Sequence, residues 1–286
     1  MKDALIIGGG IAGIQASLDL ADMGIGVHLV ERLPTIGGRM AQLDKTYPTN
    51  DCSTCILSPK MNDCARHPNI TLHTYAEITT LTGSSGNFTA TILKHPRYVD
   101  ETKCTACGEC VLKCPAKVPD AFDMELRERK AIYLYFPQAV PQVMTIDPDH
   151  CIYLDRGKCG ACVKVCQAEA IDFEQTAQEI ELDVGAVVVA TGYEDAETSR
   201  PAQMAVDLAV LATSLIPRPD AAELAQMLGI ELDSYGFVKT DPLAPVDTTR
   251  TGAFTAGCCR GPSDIPESVM QASAAAARAA RVVGGV

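Results

Sequence analysis

The chain has 286 residues, a net charge of −12, 47% hydrophobic residues, 5% aromatics and no tryptophan. The acidity excludes nucleic acid, which demands a basic face, and docking on anionic membranes. No apolar stretch reaches the length of a bilayer span and no signal-peptide layout precedes the first strand. Thirteen cysteines in such a chain therefore point to metal ligation in a reducing cytoplasm.

Residues 4–31 read as one βαβ unit. The strand Ala4–Ile7 runs into a Gly-x-Gly-x-x-Gly loop at Gly8, Gly10 and Gly13, and a helix with Ile14, Leu18 and Met23 among its apolar positions ends near Gly24. A second strand, Val27–Val30, closes on Glu31, 18 residues past Gly13. Such glycines let backbone N–H groups approach a pyrophosphate at the helix N-terminus, and the terminal carboxylate sits where it binds ribose hydroxyls. A dinucleotide site follows. Arg32 comes next, and then Ile36-Gly37-Gly38-Arg39, which resembles the Gly-Gly segment that flavoproteins place against the FAD pyrophosphate.

Cys52-x2-Cys55 comes 14 residues after Gly38. It admits three readings: a redox dithiol beside a flavin, part of a metal or cluster set, or inert buried thiols. The metal set would draw on Cys64 and His67, or on Cys258 and Cys259. The segments Ile70–Leu81 and Phe88–Leu93, joined by a Gly-Ser-Ser-Gly turn, read as strands.

Next comes Cys104-x2-Cys107-x2-Cys110-x3-Cys114-Pro115, followed by Cys151-x7-Cys159-x2-Cys162-x3-Cys166. This is the spacing of a ferredoxin with two [4Fe–4S] clusters, in which the fourth thiolate of each run crosses to the other cluster. One set is Cys104, Cys107, Cys110 and Cys166; the other is Cys151, Cys159, Cys162 and Cys114. Gln167 stands where a proline would repeat Pro115. Structural zinc uses two well-separated ligand pairs, and disulfides need an oxidising compartment, so neither suits these runs. His150 beside Cys151 is a candidate hydrogen-bond donor near a cluster, while His28, His73 and His95 read as structural.

After strands at Ile180–Leu182 and Val184–Ala190, Thr191-Gly192 completes an Ala-Thr-Gly strand end like that at which two-dinucleotide flavoproteins cross between domains, echoed at Val206–Thr213. Only some 14 residues separate the two segments, too few for a second βαβ unit, and no second Gly-x-Gly-x-x-Gly exists. A nicotinamide domain is therefore expected to be absent. Thr251–Gly257 resembles the second FAD motif of the thioredoxin and glutathione reductase superfamily, with Cys258 where an Asp normally follows. Asp264-Ile265-Pro266-Glu267 is a capping box opening an Ala-rich helix through Ala279 to Gly284, and its N-terminus is placed to face a flavin ring.

The expected fold is α/β: a Rossmann-like FAD-binding domain of the thioredoxin/glutathione reductase type from residues 1–99 and 176–286, with an inserted α+β two-cluster ferredoxin at 100–175. Together with Thr49–Cys55, Pro137–Pro141 and Ala256–Pro266, these residues resemble the heterodisulfide reductase A-subunit family along nearly the whole chain. The resemblance implies FAD, several [4Fe–4S] clusters, and an oxidoreductase component that exchanges electrons with other redox subunits, with homodimerisation inside a larger assembly open. The departure is the missing central region. Two competing readings are a self-sufficient disulfide or sulfur-compound reductase using Cys52 and Cys55, and a non-catalytic iron–sulfur scaffold or redox sensor.

Overall fold

A computed structural model describes residues 2–195 and 215–284; the echo at Val206–Thr213 lies outside the described residues. In chain order the elements begin with β1 (Asp3–Ile7), α1 (Ile11–Asp22), β2 (Val27–Glu31), α2 (Ser53–Arg66) and β3 (Ile70–Thr74), followed by the hairpin β4 (Ala76–Ser84) and β5 (Asn87–Lys94). A cysteine-rich insert holds α3 (Glu109–Lys113), the two-residue strands β6 (Val118–Pro119), β7 (Glu128–Arg129), β8 (Ile132–Tyr133) and β9 (Thr145–Ile146), and the short helices α4 (Ile152–Arg156) and α5 (Ala161–Val165). The chain continues through β10 (Gln178–Val189), the paired β11 (Glu194–Asp195) and β12 (Leu215–Ile216), α6 (Ala221–Leu228), β13 (Ala253–Thr255) and α7 (Ile265–Gly284).

The main sheet owes its shape to β10, which does two jobs. Its first half, Gln178–Val184, pairs antiparallel with β5, and its second half, Ala186–Val189, runs parallel to β1 on one side and β13 on the other. With β2 and β3 beyond β1, this makes a parallel β3-β2-β1-β10-β13 unit joined to an antiparallel meander. The sequence of β10 follows the change: exposed and buried residues alternate through Leu182, and then Val184 to Val189 is buried throughout. A strand covered on both faces needs such a continuous apolar run.

The covers are α1 and α7 on one face, with Ile14, Leu20, Ala272, Ala275, Ala276 and Ala279 in a single core with Ile6 and Val188. On the other face, α6 and the hairpin bury Leu5, Val187, Phe88 and Leu228. Alanines along α7 let its backbone come close to the sheet and to α1. Met23, expected on the apolar face of α1, falls beyond the helix and is 53% exposed; Ala16 and Leu20 take that role. Ile70–Leu81 is not one strand either. Tyr75 adopts φ +57°, and the break sends β3 into the parallel unit and β4 into the meander.

The insert leaves and returns at one place, because Lys94 at the end of β5 pairs with Gln178 at the start of β10. It has its own core of Val99, Ile132, Met144, Ile146 and Ala170, into which cysteines pack. Among the described residues no helix is long and apolar enough to cross a membrane.

Candidate functional site

A cavity of about 1110 Å³ opens at the carboxyl ends of β1, β2 and β10, where α/β sheets bind their ligands. Several separate segments converge on it. The glycine loop contributes Gly8 and Gly10, the end of β2 contributes Glu31 and Arg32, and the turn after it Gly38 and Arg39. Thr191 and Gly192 follow β10, and the C-terminal part of the chain supplies Gly257, Cys258 and Ile265. Gly13, also expected around a dinucleotide, stands behind the wall instead. A Cβ on it would lie 1.8 Å from the Gly8 carbonyl oxygen, so it is the glycine that lets α1 pack onto the loop.

The other glycines have distinct jobs. Gly8 has φ +106°, and a side chain there would meet the Ala190 carbonyl oxygen at 2.3 Å. Gly10 has open space in front of it, and the Cβ of a residue replacing Gly38 (φ +57°) would come within 2.9 Å of the Gly10 Cα. Two stretches of bare backbone thus meet at one point of the cavity, a cradle that any side chain would fill. Gly10 caps α1 with no side-chain acceptor, which leaves the first N–H groups of the helix for an anion.

Glu31 is 7% exposed and accepts hydrogen bonds from the Gly9 N–H at 2.6 Å and the Leu33 N–H at 2.7 Å. Burial raises its pKa, and the two N–H bonds pull the other way. At the opposite wall, the capping box is formed: Asp264 accepts from the Glu267 N–H at 2.8 Å, and Glu267 from the Asp264 N–H at 3.2 Å. Ile265 and Ser268 of this helix end face the cavity. The Cys258 thiol donates to the Ser263 carbonyl at 3.2 Å, and burial raises its pKa.

Arg218 and Asp220 also line the cavity and were not legible in the sequence. Arg218 donates to the Thr191 carbonyl at 3.4 Å and through Nε to Asp220 at 2.9 Å, while Arg32 approaches the same Asp220 at 3.6 Å. No motif marks them, since their place depends on the chain returning to the end of β10.

In the insert, a second pocket is lined by Cys114, Cys151, Cys159 and Cys162 with Ile132, Ile146 and Phe173 among its apolar walls. Cys114 belongs to the first run and the other three to the second. Cys110 is buried with Cys104 and Cys107 as its charged-form neighbours, and Cys166 packs into the same core, its sulfur accepting from the Ala170 N–H at 3.3 Å. Burial pushes the Cys110 thiol up to about 12 and Cys162 to about 11. As free thiols these would stay protonated at neutral pH; a bound cation is what makes such sulfurs thiolates. Among the described residues no three His, Cys, Asp or Glu side chains close on a single ion. A cubane binds each thiolate through a different iron and needs a wider set. The donors fit it: sulfur only, with six of the eight packed against the insert's apolar core and Cys107 and Cys159 exposed.

The remaining cysteines separate. Cys52 is the N-cap of α2, its sulfur accepting from the Cys55 N–H at 3.3 Å. Cys64 sits at the other end of the helix, roughly 18 Å along the axis, fully buried, with its thiol pushed up to about 12. His67 pairs with Asp22 at 3.4 Å. Cys259 is buried and donates to the Val189 and Ala256 carbonyls, each at 3.3 Å. The metal set of Cys52, Cys55, Cys64 and His67, one of the three readings of this pair, is therefore not assembled, because the helix holds its halves apart. The histidines have protein partners: His28 with His73 at 3.1 Å, His95 with Glu77 at 2.9 Å, and His150 with Asp147 at 3.0 Å rather than with a cysteine.

Residues 3–144 match the family model of FAD dependent oxidoreductases. The iron–sulfur A-subunit of the CoB–CoM heterodisulfide reductase of Methanocaldococcus jannaschii is 36% identical over 420 aligned positions, covering 96% of this chain and 63% of the relative. A Methanopyrus kandleri counterpart, the second of two such A-subunits, is 37% identical over 97% of this chain and 64% of its own length. The chain belongs to the heterodisulfide reductase A-subunit family. It spans somewhat under two thirds of these relatives' length. Of the A-subunit of the Methanothermobacter marburgensis "H(2):CoB-CoM heterodisulfide,ferredoxin reductase" it covers only 28%, and there it is 54% identical over 67% of its own residues. Because 420 positions align with only 286 residues, at least 134 of them belong to the Methanocaldococcus protein alone. Among solved structures, Lactococcus lactis thioredoxin reductase aligns over all of both chains at 15% identity and a TM-score of 0.49. Strand order and the family match, rather than that superposition, carry the fold: a Rossmann-like FAD-dependent oxidoreductase with a cysteine-rich insert.

Proposed function

We propose that this chain is an electron-transfer component that holds one FAD in the 1110 Å³ cavity and two [4Fe–4S] clusters in the insert, and exchanges electrons with partner redox subunits. The flavin domain is residues 1–99 and 176–286, and the ferredoxin 100–175. The observation that carries this reading is Cys114, which leaves its own run to stand with Cys151, Cys159 and Cys162. Crossed ligation is the habit of two-cluster ferredoxins. The family's iron–sulfur and FAD-dependent descriptions support the same cofactors.

When bound, a flavin takes or gives electrons in pairs or singly and the clusters take them one at a time, which is the chemistry such a protein needs. The chain's own contribution is placement. The bare backbone at Gly10 and Gly38 admits a pyrophosphate. The Glu31 carboxylate is available to ribose hydroxyls, and Arg32 and Arg218 add positive charge at that end. The N-terminus of α7 aims its dipole across the cavity, where it favours negative charge. Apolar residues of the insert's core pack against Cys104, Cys110, Cys114, Cys151, Cys162 and Cys166. The at least 134 positions that the chain lacks relative to its Methanocaldococcus relative support a reading without direct NAD(P)H oxidation, with electrons entering and leaving through partners.

Anaerobic purification of the full chain tests this. About one FAD and about eight irons per chain, with turnover only when partner subunits are added, is the expected result. A chain that retains no flavin sinks it.

A further inference from the structure

Cys52 and Cys55 are the one cysteine pair among the described residues that is both solvent-accessible and outside the insert's ligand sets. Cys55 is exposed and Cys52 partly so. They occupy the N-cap and third positions of a 14-residue helix, with the Cys52 sulfur accepting from the Cys55 N–H at 3.3 Å. Lys45 pairs by backbone bridge with Cys52 and lends positive charge to both sulfurs. The mount is rigid. Ser53, fully buried, donates to the Met40 carbonyl at 2.9 Å and to Leu43, and its N–H donates to the Asp44 carbonyl at 3.1 Å. Met40, Leu43 and Lys45 are themselves in the wall of the large cavity.

We propose that Cys52 and Cys55 form a redox dithiol that exchanges two electrons with an accessible disulfide, Cys52 attacking and Cys55 resolving. The Cys52 thiolate attacks one sulfur of R–S–S–R, its S–S bond breaks, and the released RS⁻ takes a proton from solvent. Cys55 then loses its proton and attacks the Cys52 sulfur, expelling the second RS⁻, which is protonated in turn. The dithiol is oxidised by two electrons to the Cys52–Cys55 disulfide and the substrate is reduced to two thiols. The reverse exchange with a dithiol reductant restores the pair.

The two sulfurs are built unequally. The Cys55 thiol, then the helix N–H groups and Lys45, favour negative charge on Cys52, and its pKa is lowered, whereas the neighbouring Cys52 sulfur raises that of Cys55. An attacking thiol next to a protonated resolving thiol has this asymmetry. The contrast with Cys64 is plain: alone and buried at the far end of the helix, it has neither a partner nor an acidified sulfur.

The test uses the full chain with its cofactors, equilibrated anaerobically in oxidised and reduced glutathione mixtures, alkylated and read by peptide mass spectrometry. The expected result is a Cys52–Cys55 disulfide appearing in one two-thiol step while Cys64 stays a thiol. Cys55→Ser should accumulate a glutathione adduct on Cys52, and Cys52→Ser should react at Cys55 at least about tenfold more slowly. Flavin and iron per chain, measured on each variant, keep this separate from the electron-transfer reading and report on folding. If either variant lowers the iron content, the thiols bind metal and the proposal falls. Absence of the disulfide in every glutathione mixture overturns it equally.

Discussion

Arg97, only 2% exposed, donates through Nη2 to the Thr74 hydroxyl at 2.6 Å and ties the root of the insert to the last residue of β3. The same guanidinium donates to the Pro34 carbonyl at 2.6 Å, to Thr145 Oγ1 at 2.9 Å and to Glu101 at 2.9 Å, and lies over the Tyr75 ring. Pro34 and Thr74 belong to the nucleotide fold; Glu101 and Thr145 belong to the insert. One buried cation therefore sets how the two units meet.

Arg97→Met removes that cation and leaves three buried acceptors without a donor. Each such loss costs on the order of 1–3 kcal/mol, and part is recovered by the methionine's packing. The variant should lose about 3 kcal/mol of stability in urea titration. A loss under about 0.5 kcal/mol would show that water replaces the guanidinium.

Gly10 and Gly13 lie three residues apart yet should fail differently. At Gly13 the added methyl collides with the Gly8 carbonyl, with no flexible group to yield, so Gly13→Ala should melt lower and lose flavin together. At Gly10 nothing lies within 4 Å of the new Cβ. Gly10→Ala should keep its stability within about 0.5 kcal/mol and lose flavin affinity at least about tenfold. Thermal melting of the flavin-free chain and flavin titration separate the two.

Crossed ligation makes a prediction about pairs of cysteines. Cys114→Ser should remove one cluster and drop iron from about eight to about four per chain. Adding Cys159→Ser should cost nothing more, since both line one pocket. Adding Cys104→Ser instead should remove the rest. Iron analysis with low-temperature electron paramagnetic resonance of the reduced protein reads each case.

His73 predicts an acid limit. Burial, with His28 and Lys94 nearby, lowers its pKa from 6.5 to about 4. Above about pH 7.5 the imidazole is neutral folded or unfolded and contributes almost no pH dependence. As pH falls below 6.5 the unfolded chain takes a proton that the folded one refuses, so stability drops until about pH 4. The cost amounts to about 2 kcal/mol between pH 7.5 and 5. In urea titrations His73→Gln should show a shallower fall over that range, and an identical fall would rule His73 out.

Much of the fold was legible because its signals are local. The glycine loop, the strand-ending Glu31, the Asp264–Glu267 box and the long apolar run of β10 are each marked by residue types a few positions apart. Where reading failed, a distant contact had won. Met23 carries helix-like spacing, but the helix stops at Asp22. The Tyr75 backbone turns to divide one apolar stretch between two kinds of pairing.

By itself the sequence determined the cofactor chemistry to expect: a nucleotide loop, two cysteine runs and the order in which they are threaded. Spacing along a chain constrains turns and ligand reach directly. Tertiary structure alone decided the company each group keeps. It brought Arg218 and Asp220 to the cavity, kept Cys64 and Cys259 in the core, and left Cys52 and Cys55 paired at the surface. Burial and charge, which settle whether a thiol is inert or reactive, come from residues far apart in the chain.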